Sequence, residues 1–120
     1  MILFLKYKWF DMIESGEKKE EYRDYKKYYT ARLKTFFQEN KFKKPAIIEL
    51  RRGYSKRAMK IECLDIFYYH AEPTLFAPGS TAQSALDNRP GNFQLLPEWG
   101  FDREKDLIIF KLGKKQEQVQ

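Results

Sequence analysis

The chain has 120 residues, with 42% apolar, 33% charged and 17% aromatic side chains and a net charge of +6 at pH 7. This length accommodates one domain, with enough apolar residues for a core that is stable without disulfides or bound metals. We expect that domain over residues 1–113 and a flexible polar tail over residues 114–120. One Cys and one His exclude a disulfide framework and metal sites built from several Cys or paired His, so we expect no metal and no cofactor.

No apolar run approaches the ~20 residues of a membrane span, and the N-terminal apolar run is too short for a signal-peptide core. The expected location is the cytoplasm, with no membrane partner. The charge is uneven, because the first 60 residues carry 17 basic and 8 acidic side chains while the last 60 carry 6 and 9. Such an excess favours a polyanionic partner, with nucleic acid first, although lysines that merely keep the domain in solution explain the charge equally well.

The first residues predict a buried strand followed by a short helix. Ile2–Lys6 is a short apolar run. An apolar helical stripe follows, and Gly16 stands where a helix commonly ends in a left-handed residue. The stripe is formed by Trp9, Met12 and Ile13.

A second strand and a second helix come next. Lys19–Tyr25 alternates, with Glu21, Arg23 and Tyr25 predicted on one face of a strand. The helix is predicted from Lys26 to Phe37, on an apolar stripe at helical spacing. This stripe consists of Tyr29, Leu33, Phe36 and Phe37.

The second half predicts a hairpin, a long connection and a final strand. Ala46–Arg52 and Arg57–Tyr69 form the hairpin arms, and an apolar parity switch near Cys63 predicts a bulge or bend. The connection 70–106 contains a possible capping box at residues 80–83, and Leu107–Leu112 is a strand closed by Gly113. The pattern favours an α+β fold, a small mixed β-barrel of five to six strands with two or three short helices.

A motif of charged residues follows the first helix. It reads Gly16-x-Lys18-x-x-Glu21-x-Arg23, and Pro97-Glu98-Trp99-Gly100 precedes the final strand. With these two features the chain resembles the ASCH domain family, and the resemblance covers most of residues 2–113.

The resemblance implies a PUA-like barrel whose cleft beside the motif binds RNA or a nucleotide-like ligand. Some ASCH members resemble amidohydrolases that remove the acetyl group from N4-acetylcytidine, using the motif Lys, a Thr three residues later and a Glu elsewhere. The motif Lys maps to Lys18, but the Thr position is Glu21 here, so the hydroxyl is absent. Glu62 and Asp65, on the long hairpin arm, are the candidates for the third residue.

The motif residues themselves suggest a binding cluster. Lys18 offers an ammonium, Glu21 an acceptor for an exocyclic amine, and Arg23 a planar fork for a phosphate or a base edge. The alternative is a cross-strand ion pair on a solvated face. We interpret Trp9 as a packing residue and Trp99 as either a packing residue or part of a pocket wall.

A second group of basic residues surrounds the predicted hairpin tip. Such a tip can grip a phosphate backbone while its tyrosine stacks on a base, although basic residues also protect exposed strand edges. The candidate RNA-binding residues at the tip are Arg51, Arg52, Tyr54, Lys56 and Arg57.

These features lead to an RNA- or modified-nucleoside-binding domain with its cleft at Lys18, Glu21 and Arg23. One alternative is an amidohydrolase or nuclease in which Lys18 and Glu21 form the acid–base pair. Another is a protein-interaction module that presents the Tyr-rich helix 26–37. The sequence leaves the oligomeric state open.

Overall fold

The computed structural model describes residues 1–39, 46–71, 86 and 91–116. The five predicted strands and both predicted helices are present, with ends that differ from the predictions by at most a few residues. The strands are β1 (Ile2–Leu5), β2 (Glu20–Asp24), β3 (Ala46–Arg52), β4 (Ala58–Tyr69) and β5 (Leu107–Lys115), the helices are α1 (Tyr7–Glu14) and α2 (Lys27–Glu39), and a 3₁₀ turn spans Pro97–Trp99.

The strands form one mixed sheet in the order β1-β3-β4-β5-β2, with β1 parallel to β3 and the other pairs antiparallel. The sheet curls, so that its two edge strands approach each other. Arg23 on β2 donates to the Phe4 carbonyl of β1 at 2.5 Å, and this side chain bridges the open edge. The small α+β, barrel-like class predicted from the sequence is confirmed at this level.

The apolar run of β5 is explained by burial on both of its faces. Ile108 and Phe110 point into the main core, with the buried faces of α1 and of β1, β3 and β4. Leu107 and Ile109 point to the opposite face, where a second cluster forms with Phe93 and other residues of the segment 91–101. Along Leu107–Phe110 neither face is left for solvent, so this part of β5 shows no polar alternation, whereas Lys114 and Lys115 at its end are exposed.

The predicted bulge lies where the parity of β4 changes. The register between β4 and β5 shifts on both sides of Cys63, between Ile61 and Asp65. The sequence predicted that Gly113 ends β5, but in the structure Gly113 lies inside the strand. A Cβ on Gly113 would stand 2.8 Å from a Leu64 side-chain carbon, so a larger residue there requires the Leu64 side chain to move.

The final strand ends later than the sequence predicts. β5 continues to Lys115, two residues into the predicted tail, and the backbone N–H of Lys114 donates to the Glu62 carboxylate at 3.0 Å. The predicted capping box at 80–83 lies outside the described residues, as do all of 72–85 and 87–90 in the connection 70–106.

Candidate functional site

The glycine turn after α1 places Lys18 at the start of β2. Gly16 has a φ of +86°, a conformation that glycine adopts without penalty, and it turns the chain back at the end of the helix. The backbone N–H of Lys18 then donates to the Met12 carbonyl at 2.9 Å. The turn directs the Lys18 side chain into the protein, where only 2% of the residue is exposed.

The Lys18 ammonium contacts two oxygen atoms and the face of one aromatic ring. Nζ donates to the Trp99 carbonyl at 2.5 Å, lies 3.0 Å from Glu21 Oε1, and stands 4.2 Å from the centre of the Trp9 ring. Burial lowers the pKa of Lys18, and the Glu21 carboxylate opposes that shift. Lys18 is therefore an interior anchor that joins the motif to the Trp99 turn.

Arg23 has the most exposed side chain of the three charged motif residues. Its Nη2 donates to the Phe4 carbonyl and lies 3.2 Å from Glu21 Oε2, while its side chain is 18% exposed. Its Nε is buried and has no hydrogen-bond partner among the described residues. A buried N–H without an acceptor is costly. Because Nε has almost no accessible surface, a ligand atom can accept from it only if the Arg23 side chain shifts toward the pocket.

A pocket of about 520 Å³ opens between the edge strands, above the motif. Its walls combine five aromatic side chains with seven charged ones, and four of the charged side chains are exposed at its mouth. The aromatic residues are Phe4, Trp9, Tyr22, Tyr29 and Trp99, and the exposed charged residues are Lys6, Asp24, Lys26 and Lys105. The arrangement combines flat aromatic surfaces, a carboxylate beside a guanidinium, and a rim of three amines and one carboxylate.

Both tryptophans line the pocket. Trp99 forms part of the pocket wall and supplies a carbonyl to Lys18. Trp9 packs against the core as predicted, but it also lines the pocket beneath the Lys18 ammonium. Gly100, at a φ of +98°, lies so close to Trp9 that a Cβ would come within 3.0 Å of Cζ2.

Sequence reasoning missed Glu20, which is only 2% exposed. Its carboxylate accepts from the backbone N–H groups of Gln94 and Leu95 at 2.8 and 3.0 Å and from the Tyr22 hydroxyl at 2.8 Å. These bonds hold the segment that leads into the Trp99 turn. Alternation along β2 indicates that Glu20 and Glu21 face opposite sides, but no sequence signal shows that both sides are covered.

The hairpin residues do not join the motif cluster. Arg51 pairs with Glu49 at 2.6 Å, and two nitrogens of Arg52 bind the Asp11 carboxylate at 2.8 and 3.1 Å. The hydrogen bonding from Arg52 is the main reason why the pKa of the Asp11 carboxyl is lowered.

The other three candidate residues of the hairpin tip are Arg57, Lys56 and Tyr54. Arg57 pairs with Glu14, while Lys56 is exposed and Tyr54 is 97% exposed at the tip. The three arginines thus have carboxylate partners within the chain, whereas Tyr54 and Lys56 face solvent. RNA binding by all of these residues stays a prediction.

Neither candidate for a third catalytic residue lines the pocket. Glu62 accepts from the backbone of Lys114, and Asp65 Oδ1 accepts from the backbone N–H of Ile66 at 2.8 Å. Both carboxylates lie on β4, whereas the pocket opens between β1 and β2. Their contacts cap irregular backbone near the bulge.

No family model, curated protein or solved structure matches this chain. The ASCH resemblance therefore rests on the motif residues themselves. Across the described ranges, neither helix has the length and apolar composition that a membrane span needs. In the same residues, His, Cys, Asp and Glu side chains form no group of three or more that can hold a metal ion.

Proposed function

We propose that this chain is an ASCH-type, PUA-like domain that binds RNA or a modified nucleoside in the pocket at Lys18, Glu21 and Arg23. The observation that carries the proposal is the unpartnered Nε of Arg23, held beside the Glu21 carboxylate in an aromatic pocket. The pocket volume falls within the usual range for small-ligand sites.

The polar pair matches the edge of a nucleobase. Arg23 donates to a ring nitrogen or carbonyl oxygen, and Glu21 accepts from an exocyclic amine beside it. The aromatic walls contact the flat faces of the base, and the rim lysines compensate the charge of an attached phosphate. An unpaired base is required, because both its edge and its faces must enter the pocket.

Lys18 supports this site without needing to contact the ligand. Its ammonium is buried against the Trp99 carbonyl, the Glu21 carboxylate and the Trp9 ring, and it fixes both Glu21 and the Trp99 turn. Removing one partner of a buried ion pair costs about 3–5 kcal/mol, so a Lys18 variant loses folding stability together with binding. Arg23 is the sharper test of the site.

Arg23→Lys keeps the positive charge and removes the planar fork and Nε. We expect this variant to retain the fold, shown by its thermal unfolding, and to bind a single-stranded RNA octamer at least about tenfold more weakly. Fluorescence anisotropy at near-physiological salt measures the affinity, and nucleoside monophosphates added as competitors report the pocket alone. Lys60→Gln, an exposed lysine on β4, is the matched control. Equal affinity of Arg23→Lys and the native chain would rule out the site.

Catalysis on a nucleic-acid substrate is the second candidate, and the lowered pKa of Lys18 favours it. A buried amine of lowered pKa beside Glu21 is suited to acid–base chemistry in an amidohydrolase or nuclease. The two functions are separated in the same samples by following product over time. An enzyme releases product that Glu21→Gln abolishes while binding survives, and a binding domain returns the ligand unchanged.

A further inference from the structure

The mouth of the pocket continues into an exposed aromatic surface on the hairpin tip. Phe4, on the edge strand β1, lines the pocket and is 45% exposed. Its ring lies 5.6 Å from that of Tyr54, with an interplanar angle of 35°, and the Arg51 guanidinium lies 5.5 Å from the Phe4 ring centre. The ring of Tyr54 has hardly any other cover, since the residue is 97% exposed.

We propose that Phe4 and Tyr54 form a stacking track for the nucleotides that flank the base in the pocket, so that the partner is single-stranded RNA rather than a free nucleoside. This inference rests on the proposed function, because the track starts at the pocket mouth. It assigns to Tyr54 a role that the pocket itself does not require.

Two arguments favour RNA as the occupant of this surface. The faces of unpaired bases stack on exposed aromatic rings regardless of sequence, whereas a duplex keeps those faces covered. The surface is also basic, with exposed Lys6 at the pocket rim and exposed Lys56 beside Tyr54. Cations alternating with aromatic rings suit a phosphate backbone whose bases turn toward the protein.

Chain length is the variable that tests the track. Affinities are measured by calorimetry for oligouridylates and oligoadenylates of one, two, four and eight nucleotides. For the native chain we expect affinity to rise from one to four nucleotides beyond the increase due to added phosphates. For Tyr54→Ala we expect four- and eight-nucleotide ligands to bind about 5- to 100-fold more weakly, with mononucleotide affinity unchanged.

The controls isolate stacking from charge and folding. Tyr54→Phe keeps the ring and should bind like the native chain. Phe4→Leu removes a ring of both the pocket lining and the track, so it should weaken mononucleotides as well as longer ligands. Tyr68→Ala removes another exposed tyrosine, on β4 and outside the pocket lining, and should have no effect. Because Tyr54 is so exposed, its replacement should leave the unfolding temperature nearly unchanged.

Failure of the track and failure of the proposed function give different results. If Tyr54→Ala binds octamers like the native chain while Arg23→Lys does not, the track is wrong and the pocket assignment is retained. If Arg23→Lys changes neither mononucleotide nor octamer binding, the pocket assignment is wrong. The track is then overturned as well, because it was inferred as a continuation of the pocket. Tighter binding of DNA of the same sequence would overturn the assignment to RNA.

Discussion

Replacing Glu20 by Gln tests how the protein positions the pocket wall. The two carboxylate oxygens accept three hydrogen bonds, two from backbone N–H groups of residues 94 and 95 and one from Tyr22. An amide offers one accepting oxygen in place of two, and its NH₂ group then faces a backbone N–H. At least one charge-assisted bond is lost, and one buried donor remains without an acceptor.

The expected loss is about 2–4 kcal/mol in the free energy of unfolding, because a bond to a charged group contributes about 1.5–3 kcal/mol, a buried donor left without an acceptor costs about 1–3 kcal/mol, and these two costs partly overlap. The backbone conformation of Leu95 depends on the same carboxylate. Its φ of +55° is unfavourable for a residue with a Cβ, and its N–H is one of the two that Glu20 accepts. Loosening that bond allows the segment to leave the strained conformation, which displaces the Trp99 turn.

Urea denaturation followed by circular dichroism measures the change, with Glu17→Gln as the matched control on an exposed Glu three residues earlier. The control should lie within about 0.5 kcal/mol of the native chain. Thermal unfolding of Glu20→Gln should fall by about 8–15 °C for a domain of this size. A Glu20→Gln variant as stable as the control would refute the view that Glu20 holds the segment 93–96 in place.

Two further predictions concern the surroundings of the pocket. Burial, together with the Glu20 carboxylate, raises the pKa of Tyr22 above its ordinary value of 10.0, so the native chain should lose stability relative to Tyr22→Phe as pH rises above about 10. The difference in unfolding free energy between the two chains should change by up to about 1.4 kcal/mol per pH unit. Urea denaturation that gives the same difference at pH 9 and at pH 11 would contradict the prediction. Gly100→Ala should cost about 1–2 kcal/mol because of its left-handed φ and should weaken nucleotide binding by pushing on Trp9. Gly91→Ala, where a Cβ meets nothing within 4 Å, should be near neutral in the same thermal-unfolding and binding measurements, and equal behaviour of the two variants would contradict the steric argument.

Local patterns along the chain were sufficient to predict most of the secondary structure. The apolar stripe of α1 and the alternation of β3 follow from side-chain periodicity, which depends only on neighbouring residues. The bulge at Cys63 was predicted for the same reason, since a change in apolar parity requires an extra residue in a strand. The grouping of Glu21 with Arg23 also follows from alternation, and the two side chains lie 3.2 Å apart.

The chemistry of the pocket depends on contacts between residues that are distant in the sequence. Lys18 obtains its carbonyl partner from Trp99, 81 residues away, and Arg23 bridges to Phe4 on the opposite edge of the sheet. The pairing of Arg52 with Asp11 likewise spans 41 residues and changes what the hairpin charges face.

The sequence by itself therefore determined which residues share a face of each strand or helix, because that property is local. Only the tertiary structure decided what covers each face. Glu20 and Glu21 stand on opposite sides of β2, and both are buried because the sheet curls over one while the segment 91–101 folds over the other. A carboxylate's burial and partners depend on the elements brought against it, and periodicity carries no information about those long-range contacts.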